Sequence, residues 1–176
     1  MRGPPIGEQT HAWRVIHSSS NDKWRTPPDV FAPLHEEFNF VVDAAADAEN
    51  SLCDVYCRDA LGDAPWSSRS LKGAVWCNPP YGRRVGRWIQ RAYQESQRSD
   101  RTVVCLTMAS TETKWWSDWV WKASEVRLVV GRVYFLDADG MPRSACPKGS
   151  AIVVFDPGYA GPPRVSMWDR KSGTLK

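Results

Sequence analysis

Asn78-Pro79-Pro80-Tyr81 is a tetrapeptide whose carbonyls and side chains could grip a planar amino group. Two consecutive prolines fix the backbone and donate no hydrogen bonds. The carbonyl of Pro79 and the side-chain oxygen of Asn78 are therefore a rigid pair of acceptors. An exocyclic amine is a poor nucleophile because its lone pair is delocalised into the ring. Two acceptors on its hydrogens shift electron density onto the nitrogen and favour the tetrahedral geometry that attack requires. Tyr81 adds an aromatic face on which a base can stack, a contact worth about 1–3 kcal/mol in single-stranded recognition. A Pro-Pro turn with a buried tyrosine would read the same way, so placement decides between the two.

The placement is informative. The apolar run Ala74 to Cys77 predicts a buried strand that ends on Asn78, and the segment Arg83 to Gln97 predicts a helix with Val85, Trp88, Ile89 and Ala92 on one side. Phe40 to Val42 reads as another short buried strand, ending on the carboxylate of Asp43. Ahead of it, Thr26 with Pro27 and Pro28 marks a helix start, the hydroxyl free to cap, and the helix runs to about Phe38. Thr102 to Leu106 is a third buried strand and Thr113 to Lys122 a Trp-rich helix. Glu125 to Val130, Val133 to Leu136 and Ala151 to Phe155 make the second half rich in strands. Strands alternating with helices predict an α/β fold, a mostly parallel sheet with helices on both faces. Ligands then bind beyond the carboxyl ends of the strands, where Asp43 and Asn78 are both placed.

The 176 residues, 42% hydrophobic and 24% charged, fit one domain. We expect an N-terminal arm over residues 1–22, one compact unit over 23–157, and a Gly- and Pro-rich tail over 158–176. No run reaches the roughly 18 apolar residues of a membrane span, and the first residues lack the apolar stretch of a signal peptide, so a cytoplasmic protein without a membrane partner is expected. Five cysteines, an odd set, favour reduced thiols. The histidines do not join them at metal-ligand spacing, and no metal is expected. A formal charge of +3 does not by itself point to nucleic acid. Clustering is more telling. Arg84, Arg87 and Arg91 recur at helical spacing just after the proposed base pocket and could hold phosphates, although a solvated helix face has the same pattern. Lys114 and Arg132 are further candidates. Of Trp115, Trp116, Trp119 and Trp121, which fall on more than one side of a helix, only one or two can be core.

WCNPPYG, with WRTP, VVDAAADAENSLC, the Trp pair after STETK, and GRVYF, closely resembles the phage and prophage DNA N6-adenine methyltransferases of the Dam-like group, over about Trp24 to Phe155. The resemblance implies a Rossmann-like methyltransferase fold, S-adenosylmethionine as donor and adenine in double-stranded DNA as acceptor, flipped out of the stack, in a bacterial host cell. Asn78, Pro79, Pro80 and Tyr81 are then catalytic. Thr26 and Pro27 look like the segment lying against the methionine end of the cofactor. Asp43 matches the acid ending the first strand, Asn50 a polar position of the same motif, and Asp59 the acid near the adenine site. The chain departs from the broader pattern after Asp43, where Ala44, Ala45, Ala46 and Asp47 replace a glycine-rich loop and Ala45 would approach the cofactor. Two rival readings stay open at this level. One is a methyltransferase acting on RNA adenine or on protein glutamine. The other is a DNA-binding relative without catalysis. No obligate protein partner is implied, and the stretch left for reading bases, about Arg127 to Lys148 with part of Glu112 to Lys122, matches no readable code.

Overall fold

The computed structural model describes residues 24–68 and 70–176. The expected arm lies outside them. Eight strands form one sheet: β1 (Phe40–Asp43), β2 (Val55–Tyr56), β3 (Ala74–Cys77), β4 (Val103–Met108), β5 (Glu125–Val129), β8 (Ser150–Phe155), β9 (Arg164–Asp169) and β10 (Thr174–Leu175). Between β5 and β8 the chain makes a separate two-stranded ribbon from β6 (Tyr134–Leu136) and β7 (Pro142–Ala145). The sheet order is β10-β9-β5-β8-β4-β3-β1-β2. Strands β1 to β4 pair in parallel, β8 runs against both β4 and β5, β9 is parallel to β5, and β10 turns back on β9.

The central strands β3, β4 and β8 are buried at every position, as expected of strands covered on both faces. Alternate residues divide between two cores. Trp76, Val104, Leu106, Ile152 and Val154 face Val30 and Leu34 of α1 (Pro28–Phe38). Val75, Cys77, Val103, Cys105 and Val153 face Val85, Ile89 and Ala92 of α2 (Val85–Ser99), with Trp116 of α3 (Lys114–Trp119). Helices thus pack on both faces of a mostly parallel mixed sheet. Two glycines set the positions that matter for the site. Gly73 leads into β3 at φ 144°, where a Cβ would lie 2.4 Å from the Asn39 carbonyl oxygen. Gly86 lets the first turn of α2 approach α3, since a Cβ there would lie 2.8 Å from that of Trp115.

Four expectations are corrected. Thr26 does not cap α1. The cap is Pro27, whose carbonyl accepts from Val30 and Phe31 at 3.0 and 3.2 Å, and the Thr26 hydroxyl is engaged elsewhere. The tail expected over 158–176 is β9 and β10. Trp168 is fully buried on the α1 side, and β9 pairs along the whole of β5. Glycine and proline are concentrated in the connection, residues 157–163, and hid the strand that follows. The strand expected at Val133 to Leu136 leaves the main sheet for the ribbon. The Trp-rich helix ends at Trp119 and continues as a 3₁₀ turn, Val120–Lys122. Its tryptophans divide as their spacing requires: Trp116 is buried, Trp115 and Trp119 half-buried and Trp121 exposed. Among the described residues no helix is long and apolar enough to cross a membrane.

Candidate active site

Asn78 stands one residue past β3, at the carboxyl edge of the parallel strands. Its Nδ2 donates to the Thr26 hydroxyl at 3.0 Å and towards the Trp24 carbonyl at 3.4 Å. Its Oδ1 is buried and has no partner among the described residues. An unpaired buried acceptor costs free energy, so a ligand that donates a hydrogen there recovers it. The next residue, Pro79, is buried and has no N–H.

Tyr81 is fixed from three sides. Its hydroxyl donates to the Leu106 carbonyl on β4 at 3.4 Å. Its ring makes edge contacts with Trp24 and with Phe135 of the ribbon, at centroid distances of 6.2 and 5.4 Å. Burial pushes the phenol well above its ordinary pKa, so it stays protonated. Trp24 and Phe135 themselves lie 5.4 Å apart. Neither was singled out from the sequence as a wall of this pocket. The only signal for them was their membership of the WRTP and GRVYF segments.

Asp43 ends the neighbouring strand, paired with Trp76 across β1 and β3. It is 4% exposed, and its two oxygens accept from the backbone N–H groups of Ala45 and Leu52, both at 3.2 Å. The carboxylate thereby closes the loop over residues 44–52, which Asn50 also staples by accepting from the Asp47 N–H at 2.7 Å. Asn39 and Asp100 are the non-glycine residues at positive φ among those described. The alanine loop therefore turns without the left-handed conformation that glycine would supply. Burial raises the Asp43 carboxyl from 3.8 to about 6 against the pull of its two backbone donors. That difference corresponds to about 3 kcal/mol. The stability it carries is fully present below pH 3.8 and is lost as the pH rises through about 6. Against Asp43→Asn, which does not titrate, the wild-type unfolding free energy should fall by about 2 kcal/mol between pH 4 and 7 in urea titrations. A pH-independent difference would mean an ordinary, solvated carboxylate.

Past β2, a cleft of about 670 Å³ opens between Tyr56, Cys57, Asp59, Pro65, Trp66 and Leu71. This is within the range of small-molecule sites, about 300–1,000 Å³. Its wall is fastened to α2 by a residue the sequence reading passed over. Glu95, 1% exposed, accepts from the Trp66 N–H at 3.0 Å and pairs with Arg91 at 2.9 Å. The signal was a carboxylate three residues past Ala92 on the apolar side of α2. Burial lifts the thiols of Cys53 and Cys57 to about 12 and about 11, so both are protonated at neutral pH. Among the described residues no group of three or more His, Cys, Asp or Glu could hold a metal ion.

A family model described as DNA N-6-adenine-methyltransferase (Dam) matches residues 15–173. The chain belongs to this family. The chain is also similar to the DNA N-6-adenine-methyltransferase of Haemophilus phage HP1 (strain HP1c1), 28% identical over 145 residues that cover 79% of this chain and 81% of that protein. The Dam match runs through β9, consistent with the strand's place in the sheet.

In this Dam-family chain the candidate residues fall into three groups. Thr26, Pro27, Asn78, Pro79, Pro80 and Tyr81 meet at the end of β3. Asp43, Ala45 and Asn50 build the adjoining loop, and Asp59 lines the cleft. The cationic candidates differ among themselves. Arg84 and Arg87 are exposed on the first turn of α2. Arg91 is turned inward, donating to the Ala64 carbonyl at 2.6 Å and pairing with Glu95. Lys114 pairs with Asp118 at 2.9 Å, and Arg132 donates to the Cys146 carbonyl at the base of the ribbon.

Proposed function

We propose that this chain transfers a methyl group from S-adenosylmethionine to N6 of adenine in DNA, at a specific site, with the base flipped into the pocket at the end of β3. The observation that carries this reading is the buried Oδ1 of Asn78, unpartnered among the described residues, beside a non-donating proline. Family membership and the likeness to the phage HP1 protein support adenine in DNA as the acceptor, and support a phage or prophage enzyme acting in the cytoplasm of a bacterial host. The sheet order, with antiparallel β8 between β4 and β5, supports a Rossmann-like methyltransferase arrangement.

Asn78 Oδ1 and the Pro79 carbonyl accept the two amino hydrogens and raise lone-pair density on the nitrogen. Tyr81, held by Leu106, Trp24 and Phe135, is the surface against which the base lies. Asp59, Tyr56 and Trp66 would hold the cofactor in the cleft, and the loop closed by Asp43 would border it. The cleft's volume and its lining, the rings of Tyr56 and Trp66 with one carboxylate, Asp59, beside one guanidinium, Arg58, fit such a molecule, which when bound supplies a methyl group on a cationic sulfur. Catalysis is then mostly positioning and exclusion of water, and the amine's proton leaves after the methyl has been accepted. Labelled methyl transfer to DNA, RNA and protein, run side by side, tests the reading. We expect N6-methyladenine in digested DNA. Label in RNA or protein alone, or none anywhere, would overturn it.

DNA binding should draw on Arg84 and Arg87. Changing both to Gln should lower the slope of log Kd against log salt by nearly two, at about 0.9 per phosphate contact on duplex DNA. Arg91→Lys should leave the slope unchanged, because that guanidinium is committed to Glu95 and Ala64. A wild-type slope in the double variant would assign both arginines to a solvated helix face.

A further inference from the structure

An asparagine amide has two ends of nearly the same shape and opposite hydrogen-bonding character. If Asn78 turned over, its NH2 group would meet the amino group of the base, donor against donor, and the proposed polarisation would be lost. Something must hold one orientation. The Trp24 carbonyl can only accept and lies 3.4 Å from Nδ2, and the Thr26 hydroxyl accepts from the same Nδ2 at 3.0 Å. Thr26 is 6% exposed, so water does not readily take its place. The segment carrying both groups is itself anchored. Arg25 exchanges two backbone hydrogen bonds with Leu136 of the ribbon, at 2.9 and 3.0 Å, and Trp24 packs on Phe135.

We propose that Thr26 is a positioning residue: its hydroxyl holds the Asn78 amide in place at the strand end, the Trp24 carbonyl, which can only accept, sets Nδ2 on that side and so turns Oδ1 towards the target amine, and the ribbon braces both. This rests on the role given to Asn78 above. It also differs from the placement that the family resemblance implies for Thr26, against the methionine end of the cofactor.

The two assignments separate experimentally. Thr26→Val, which keeps the shape and removes the acceptor, should lower kcat at least tenfold. The Kd for S-adenosylmethionine by calorimetry and the Tm should stay within twofold and about 2 °C of wild type. Thr26→Ser, which restores the hydroxyl, should recover most of kcat. A weakened cofactor Kd with an unchanged kcat would overturn the proposal and return Thr26 to the cofactor site. A Thr26→Val enzyme with wild-type kcat and Kd would overturn it as well. Asn78→Ala keeps the two levels apart. If it is active, the reading of Asn78 fails. If it is inactive while Thr26→Val is fully active, only the role of Thr26 fails. Should Thr26→Val not fold, the wild-type protein still answers. With ¹⁵N-asparagine labelling, the Asn78 side-chain NH2 pair, identified by its loss in Asn78→Ala, should be protected from hydrogen exchange. An unprotected pair would overturn the proposal.

Discussion

Asn78→Ala is expected to abolish methyl transfer while leaving the affinity for S-adenosylmethionine nearly unchanged. The substitution removes the acceptor that the described residues leave open and touches none of the groups lining the cleft beyond β2. It also releases the Thr26 hydroxyl, which has the Asn78 amide as its partner. Truncation at the strand end exposes little apolar surface, so circular dichroism and the melting temperature should stay close to wild type. Single-turnover methylation of DNA is the appropriate measurement, since it separates chemistry from product release. More than about a tenth of the wild-type rate would mean that Asn78 lowers the barrier by less than ~1.4 kcal/mol, too little for a group that polarises the nucleophile.

The strand edge that carries this site was legible because buried parallel strands leave a strong mark. Ala74–Cys77 is apolar throughout, and the polar residue that follows can only lie at the carboxyl edge. The strand end at Asp43 was legible for the same reason. What the side chains do there was less so. Asp43 and Asn50 close a loop through backbone N–H groups, and a backbone partner has no residue type to reveal it. Thr26 preceded two prolines, which made a capping role plausible, yet its partner lies 52 residues away in the chain. Such a contact is set by sheet order, not by local pattern. β9 was hidden because its single inward aromatic, Trp168, sits between exposed Val165 and Met167 on one side and a polar turn on the other. Arg91 shows the converse. Spacing alone grouped it with Arg84 and Arg87, while its actual direction was decided by Glu95, one turn along the same helix.

That carboxylate is where the second large effect is expected. Glu95→Ala should destabilise the protein by about 3–5 kcal/mol, because removing one member of a buried pair leaves the other without its counter-charge. Arg91 would lose its partner at 2.9 Å while its side chain is only 14% exposed, and the buried Trp66 N–H would lose its acceptor. Chemical denaturation measures the loss directly. Glu95→Gln makes the sharper comparison. It can still accept from Trp66 but leaves Arg91 facing a neutral amide, so it should lose less stability and hold the wall of the cleft more nearly in place. The affinity for S-adenosylmethionine should then fall clearly in Glu95→Ala and little in Glu95→Gln. Wild-type stability in Glu95→Ala would mean that the pair is effectively solvated. An unchanged cofactor Kd in a destabilised Glu95→Ala would detach the cleft between Asp59 and Trp66 from cofactor binding. One helix makes the coupling physical: α2 begins seven residues after Asn78 and, ten residues further along, its Glu95 grips the loop that walls the cleft. Base pocket and cleft are therefore set by the same rigid element, and loosening its buried carboxylate should be felt first in the cleft.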